Sequence, residues 1–183
     1  MKSPFTLVDH MITAVLAAAG IAIKTVIVPL AQMITGPLLI PGGVVAGGFY
    51  MLFLVLASAL TGKRGAALLV SLLQAVLVTI TGALGSHGAA SLFTYSVAGL
   101  AVELWLLICG HRGCCAFCCF GAGLAANVAG SVAVNLAIFR LPPVPLLLSL
   151  SAAALSGGLG GLVAHMAAQS LRRSGVWKPS GGL

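Results

Sequence analysis

Glu103 and Lys24 are the ionisable side chains that lie deepest in the long apolar segments of this sequence. A charge in apolar surroundings is costly, so such groups usually face a cavity, a partner or an interface. Glu103 could receive an amine or a protonated heterocycle. It could equally bond a Ser, Asn or His of a neighbouring helix, or reach the aqueous boundary with its carboxylate. Lys24 lies two apolar turns from either end of its segment and is a candidate partner for Glu103.

A second group of polar side chains recurs at four-residue spacing, as Asn127, Ser131 and Asn135. This spacing places the three on one stripe of a helix. The stripe could line a binding cavity or bond the following helix. We expect a cavity, because three polar groups exceed what packing between membrane helices usually needs. Tyr95, near the start of another apolar segment, could stack on a ligand ring or belong to an interfacial aromatic belt.

Two loop residues, His87 and Arg140, complete the candidate ligand contacts. Arg140 suits a carboxylate or phosphate, or it is only an anchor for lipid headgroups. Gln32, Tyr50 and Trp105 are more typical of packing than of ligand contact.

The five cysteines all lie between Cys109 and Cys119. Cys115 and Cys118 have a spacing found in zinc sites, and His111 is nearby. Structural zinc sites normally pair two separated ligand clusters, however, and thiols bunched at one helix start cannot all converge on one ion. We predict free thiols, with no metal site and no cofactor.

Two enzyme classes are argued against by motif spacing. Ser156 and His165 could suggest an intramembrane serine protease, but nine residues on one helix separate them by about 13 Å. The sequence has no Gly-x4-Gly-Lys-(Ser/Thr) loop, so it does not hydrolyse ATP by the usual phosphate-binding loop. We predict that the protein is not an enzyme.

The composition requires lipid as the main solvent of the chain. Of 183 residues, 60% are hydrophobic and 6% are charged, whereas about a quarter of a soluble domain is charged. Such a chain cannot build the polar shell of a soluble fold. The net charge of +7 comes from scattered basic residues, which argues against nucleic acid as a partner. The first apolar segment is too long for a signal peptide and is expected to be a retained helix.

Glycine, proline and charged residues divide the chain into six segments that could each cross a bilayer. We predict an all-α integral membrane protein, a single six-helix bundle over residues 1–183. The predicted spans are 10–34, 44–61, 65–84, 90–109, 115–138 and 144–170. One side of this arrangement carries Lys2, Lys63, Arg64, Arg112, Arg172, Arg173 and Lys178, and the other carries Arg140. The positive-inside rule then places both termini in the cytoplasm.

Residues 41–50, 60–67 and 82–86 give the sequence a family resemblance. It resembles the S components of energy-coupling factor (ECF) transporters, small six-helix membrane proteins that capture a vitamin or related micronutrient. S components dock on a module of one transmembrane coupling protein and two ATPase subunits. A first-helix Ala-x3-Ala motif of that family faces the coupling protein, and Ala14, Ala18 and Ala22 stand at matching positions.

The resemblance implies capture of a small water-soluble vitamin or precursor from outside the cell membrane of a prokaryote. The Gly-Lys-Arg-Gly-Ala-Ala turn at 62–67 is similar to that of members handling thiamine precursors, so a heteroaromatic of this kind is the first candidate substrate. Nickel and cobalt members begin Met-His-x-Pro, whereas this sequence begins Met-Lys-Ser-Pro, which argues against metal transport. The pocket is expected in the outer halves of the last three helices, capped by residues 36–48.

Two other classes of function stay open. A stand-alone secondary transporter or channel would be favoured by inverted repeats, and no convincing repeat is found. A non-transporting membrane assembly protein is the other alternative. Substitution of Ala14 and Ala18 distinguishes these classes. An S component should lose partner binding and keep ligand binding, which neither alternative predicts.

Overall fold

The helices of the chain follow one another with short connections. The structure is a computed structural model that describes residues 5–82, 88, 90–110 and 115–175. The helices are α1 Leu7–Thr35, α2 Gly42–Val45, α3 Gly47–Thr61, α4 Ala66–Thr81, α5 Ala90–Ile108, α6 Ala116–Val134 and α7 Pro143–Arg173. A 3₁₀ turn, Gly36–Leu38, follows α1, and a π-helical turn, Asn135–Phe139, extends α6. The described ranges contain no strand, so the prediction of an all-helical fold is confirmed.

Most helices are long and apolar enough to cross a membrane. In the described part of the chain, four stretches meet that condition: Leu7–Leu38, Ala90–Ile108, Ala116–Phe139 and Pro143–Arg173. Helices α3 and α4 are apolar but shorter, at 15 and 16 residues. Large apolar side chains point outward around the bundle, with Ile108 81% exposed. Lipid is the solvent that suits such a surface, and the chain is a multi-pass membrane protein.

Helix α1 begins at a capping box. The Thr6 backbone N–H donates to Asp9 Oδ2 at 2.8 Å, and the Asp9 N–H donates to Thr6 Oγ1 at 3.3 Å. These bonds satisfy donors that the first turn of a helix leaves without partners. The helix then continues for 29 residues to Gly36 and Pro37.

The predicted span 44–61 is interrupted, because α2 ends at Val45 and α3 begins at Gly47. Side chains from other helices hold the break. Asn127 of α6 donates to the Val44 carbonyl at 2.9 Å. Ser156 of α7 accepts from the Gly48 N–H at 2.8 Å and donates to the Val45 carbonyl at 2.5 Å. Backbone groups at an interruption need such partners, since lipid offers none.

Glycines bring α7 very close to two neighbours. A Cβ on Gly160 would overlap the backbone of Gly48 in α3, and a Cβ on Gly123 of α6 would overlap the Gly157 carbonyl. Small residues at such crossings let helix backbones approach closely in a membrane. The prediction of a tightly packed bundle is confirmed at these crossings.

At one end of the bundle, charged side chains cap the ends of two helices. Arg172 of α7 donates through Nη2 to the Ala59 carbonyl in the last turn of α3, where a cation complements the helix dipole. Glu103 of α5 accepts from the Ala67 N–H, in the first turn of α4, at 3.0 Å. The short turn that carries Lys63 connects these two capped helix ends, the end of α3 and the start of α4.

Candidate functional site

A cavity of about 170 Å³ lies at the opposite end of the bundle. It is lined by the later turns of α1, by α2, and by the starts of α3, α5 and α7 and the end of α6. Of the predicted ligand contacts, four line it: Tyr95, Asn127, Ser131 and Asn135. The three residues of the α6 polar stripe therefore lie on one wall of the cavity, and Asn127 also bonds the following helix through the Ala153 carbonyl. The other polar side chains of the wall are Lys24, Gln32, Tyr50, Thr94 and Ser149.

Lys24 brings a positive charge to the cavity wall. Its side chain is only 5% exposed, and its Nζ donates to the Tyr95 hydroxyl at 2.5 Å. The same Nζ lies 5.0 Å from the Tyr95 ring centroid and 5.8 Å from that of Tyr50. Two aromatic faces at these distances stabilise a cation. Lys24 is thus positioned by α5 and α3 rather than by Glu103.

The two asparagines use their side-chain amides differently. Asn127 donates its Nδ2 hydrogens to the carbonyls of Val44 and Ala153, both at 2.9 Å. Its remaining polar atom is Oδ1, an acceptor. Asn135 accepts from the Leu141 N–H through Oδ1 at 2.8 Å, which leaves its Nδ2 as a donor.

The segment that follows α1 is hydrogen-bonded to two side chains of the cavity wall. Gln32 Oε1 accepts from the Gly42 N–H at 2.5 Å, and the Tyr50 hydroxyl donates to the Gly43 carbonyl at 2.7 Å. The cavity lining includes Pro41 of this segment. Gln32 and Tyr50, which the sequence favoured as packing residues, therefore combine packing with a place in the wall.

Ser149 is a wall residue that the sequence did not single out as a ligand contact. Its hydroxyl is buried and finds no hydrogen-bond partner within the part of the chain that the structure describes. A buried hydroxyl without a partner costs about 1–3 kcal/mol. A ligand atom in the cavity would remove that cost.

The other three predicted contacts lie elsewhere. Glu103 is not a lining residue, because its carboxylate caps the start of α4 at the far end of the bundle. It follows Tyr95 by eight positions on α5, about 12 Å along the axis. Glu103 thus bonds a neighbouring helix, but through a backbone N–H and not through the Ser, Asn or His side chain that the sequence suggested. Arg140 is exposed, in a left-handed conformation with φ 48°, between the lining residues Phe139 and Leu141. His87 lies outside the described residues.

The cysteine segment has a packing role in the described residues. Cys115 caps α6 by accepting from the Cys118 N–H at 3.3 Å, and Trp105 donates to the Cys118 carbonyl at 3.1 Å. Within the described ranges, no three His, Cys, Asp or Glu side chains form a group that could hold a metal ion. His111 and Cys114 lie outside the described residues.

Helix α1 also carries a small-residue stripe on its outside. Ala14, Ala18 and Ala22 are exposed, whereas Ala17 and Gly20 are buried against the bundle. The alanines therefore form a smooth strip that no part of the described chain covers. A strip of this kind suits close approach by another membrane helix.

Ser156 bonds the backbone on both sides of the α2–α3 break. We expect Ser156→Ala to lower the free energy of unfolding by about 1–3 kcal/mol, because it removes two partly buried hydrogen bonds. Thermal unfolding in detergent measures this. Ser151→Ala is the matched control, since Ser151 is exposed and bonds only the Leu147 carbonyl of its own helix. Equal unfolding midpoints for the two variants would contradict the role given to Ser156.

Comparison with known proteins gives two findings. A family described as "ABC-type cobalt transport system, permease component" matches residues 8–129. A crystal structure of an S component of an ECF transporter is similar over 94% of this chain and 88% of that chain, with a TM-score of 0.80 and 21% identity. At that identity the likeness shows a shared fold. No curated protein matches the chain significantly.

Proposed function

The chain belongs to the family described as ABC-type cobalt transport system, permease component, and from this premise we propose that it is the substrate-capture subunit of an ECF transporter. The observation that carries the proposal is the cavity, lined by polar and aromatic side chains, at one end of a bundle with the S-component fold. The subunit captures a small water-soluble molecule there and delivers it by docking on an ATPase-driven module. The ATPases lie on other chains.

In this proposal the bundle crosses the membrane six times. Helices α3 and α4 span about 22–24 Å each at 1.5 Å per residue, somewhat less than the 30 Å hydrocarbon core. The short turn between them carries Lys63 and Arg64, which puts it on the cytoplasmic side with both termini. The cavity then opens to the outside of a prokaryotic cell membrane, under the 36–48 segment.

The proposed substrate is organic. Cobalt prefers imidazole, thiolate or carboxylate ligands, and the cavity wall contains none of these side chains among the residues described. The wall instead offers the rings of Tyr50 and Tyr95, amide groups and hydroxyls. Such a site suits a planar vitamin or precursor, with a thiamine-precursor-like heteroaromatic as the first candidate. Tyr95, Asn127, Ser131 and Asn135 are its proposed contacts, and Arg140 and His87 are proposed at the entrance.

The proposed partners are a transmembrane coupling protein and two ATPase subunits. Ala14, Ala18 and Ala22 form the docking strip, because they are exposed on α1 and small enough for helix contact. Delivery would follow from tilting of the whole subunit against the coupling protein.

Native mass spectrometry of the purified chain tests capture. We expect a retained small molecule, and we expect Val28→Trp to lose it, because Val28 lines the cavity. Val26→Trp is the matched control, since Val26 is 62% exposed on the same helix. A chain that neither retains a molecule nor co-purifies with ATPase subunits would refute the proposal. Uptake without any ATPase would instead indicate a stand-alone transporter.

A further inference from the structure

We propose that Cys115 and Cys118 form a thiol–disulfide exchange site, which low-molecular-weight disulfides oxidise to an intrachain disulfide and thiols reduce again. The pair lies at the start of α6, whereas the cavity lies at the end of that helix. The inference is therefore separate from substrate capture and does not depend on the molecule that the cavity holds. Three features support it: the distance between the sulfurs, the groups that face the Cys115 sulfur, and the unequal exposure of the two thiols.

The two sulfur atoms are already in contact. Both residues are free thiols in the structure, and the Cys118 thiol donates to Cys115 Sγ with 2.8 Å between the sulfurs. A disulfide bond is about 2.0 Å long, so closure needs a movement of less than about 1 Å. The backbone holds the two residues within one turn, because the Cys119 N–H donates to the Cys115 carbonyl at 3.2 Å. The bond can therefore form without rearrangement of the helices.

The start of α6 favours Cys115 as the attacking group. Cys115 is the residue at which the helix begins, and both the thiol and the backbone N–H of Cys118 donate to its sulfur. Such donors, together with the positive end of a helix, stabilise a thiolate. The thiolate is the form that attacks a disulfide.

The two thiols differ in their access to a reagent. Cys115 is exposed, whereas Cys118 is 8% exposed. Trp105 of α5 holds Cys118 in place, since its Nε1 donates to the Cys118 carbonyl at 3.1 Å. A dissolved disulfide therefore meets Cys115 first, and Cys118 is placed to attack the product.

The exchange takes place in two steps and needs one oxidant, a disulfide RSSR. The Cys115 thiolate attacks one sulfur of RSSR, whose S–S bond breaks, and RS⁻ leaves a mixed disulfide on Cys115. Cys118 then loses its proton and attacks Cys115 Sγ, which releases the second RS⁻. The protein loses two electrons and two protons, and RSSR is reduced to two RSH. The reverse sequence reopens the pair.

The proposed orientation of the bundle gives this chemistry a setting. The start of α6 lies at the end of the bundle placed in the cytoplasm, where glutathione and thioredoxin keep thiols reduced. Disulfides that form there are usually transient and catalytic or redox-sensing. The pair therefore stays reduced at rest and closes when the pool of oxidised thiols rises.

Two other cysteines near the pair differ from Cys115. Cys119 is fully buried, with its sulfur 3.8 Å from His165 Nδ1 of α7. Cys109, just after α5, also hydrogen-bonds the Cys118 thiol but is less exposed than Cys115. A bond between Cys109 and Cys118 is thus the competing product, and the location of the disulfide decides between them.

Oxidation of the purified full chain in detergent tests the inference. The chain is reduced, freed of reductant and treated with oxidised glutathione, after which free thiols are alkylated and the disulfide is located by fragmentation mass spectrometry. We expect the loss of two of the five thiols, a bond between Cys115 and Cys118, and recovery of all five with excess reduced glutathione. A chain that keeps every thiol free overturns the proposal, and so does a bond between Cys109 and Cys118.

Single substitutions assign the two roles. Cys118→Ser should stop at the mixed disulfide and carry one glutathione on Cys115. Cys115→Ser keeps an oxygen that can cap the helix, and it should lose two thiols at least about 10-fold more slowly than the wild type. Cys114→Ser is the matched control for removal of a neighbouring thiol, and it should close as the wild type does.

The variants can also contradict the assignment. If Cys118→Ser carries no glutathione on Cys115, then Cys115 is not the attacking thiol. If Cys115→Ser loses two thiols as fast as the wild type, the bond lies between other cysteines and the proposal fails. Slow closure of Cys114→Ser would overturn it as well, because the exchange would then need a thiol outside the pair.

Discussion

Replacing Ala18 by Trp is expected to abolish association with the ATPase-bearing complex while leaving ligand retention intact. Ala18 is exposed at the centre of the alanine strip, and its small side chain leaves room for a partner helix backbone. An indole there would hold the two helices apart. We expect co-purification with the ATPase subunits to fall at least about 100-fold, which corresponds to about 2.7 kcal/mol. Uptake by whole cells should fall with it.

Leu30→Trp is the matched control for this result. At 100° per residue, Leu30 lies about 120° around α1 from Ala18, and its side chain is 57% exposed. An indole at that position should meet lipid and leave complex formation unchanged. If Ala18→Trp binds the complex as well as the wild type does, the docking surface lies elsewhere. If uptake continues without the complex, a stand-alone transporter is the better interpretation.

The second large effect is expected at the crossing of α6 and α7. Gly123→Ala would place a methyl group against the Gly157 carbonyl, and both are backbone positions in packed helices. Since neither backbone can rotate away, the helices must separate. Overpacking of this kind costs about 1–3 kcal/mol, so we expect a lower unfolding temperature in detergent and reduced yield of folded protein.

Gly130→Ala provides the comparison within the same helix. A Cβ on Gly130 would lie 3.4 Å from Met51 Cε and 3.6 Å from Ala98 Cβ, and the methionine end can move. An added methyl also favours the helix by about 0.5–1 kcal/mol. Gly130→Ala should therefore unfold at or above the wild-type temperature. A Gly123→Ala protein as stable as Gly130→Ala would contradict the close crossing.

The sequence predicted most helices because long apolar segments and their breakers are local signals. The capping box at Thr6 and the end of α1 at Gly36 are local in this sense. The break after Val45 is not, because Asn127 and Ser156 hold it from distant parts of the chain. No local pattern contains that information.

The candidate site, like the fold, was predicted only in part from the sequence. Four-residue spacing found the α6 stripe, since helix periodicity alone decides which side chains share a face. It could not decide the role of Glu103, whose carboxylate is used by the first turn of α4. Burial of Lys24 in an apolar segment was a signal of a functional position, but only the fold showed that Tyr95 is its neighbour.

Helix α1 bears both the lysine of the cavity and the alanine strip, and Lys24 follows Ala18 by six positions. The helix is continuous from Leu7 to Thr35, so these surfaces keep a fixed angular phase of about 120°. A one-residue insertion or deletion between them would shift that phase by 100° and turn one surface out of place. Substitutions can thus alter capture and docking separately, but the number of residues between Ala18 and Lys24 is constrained by both at once.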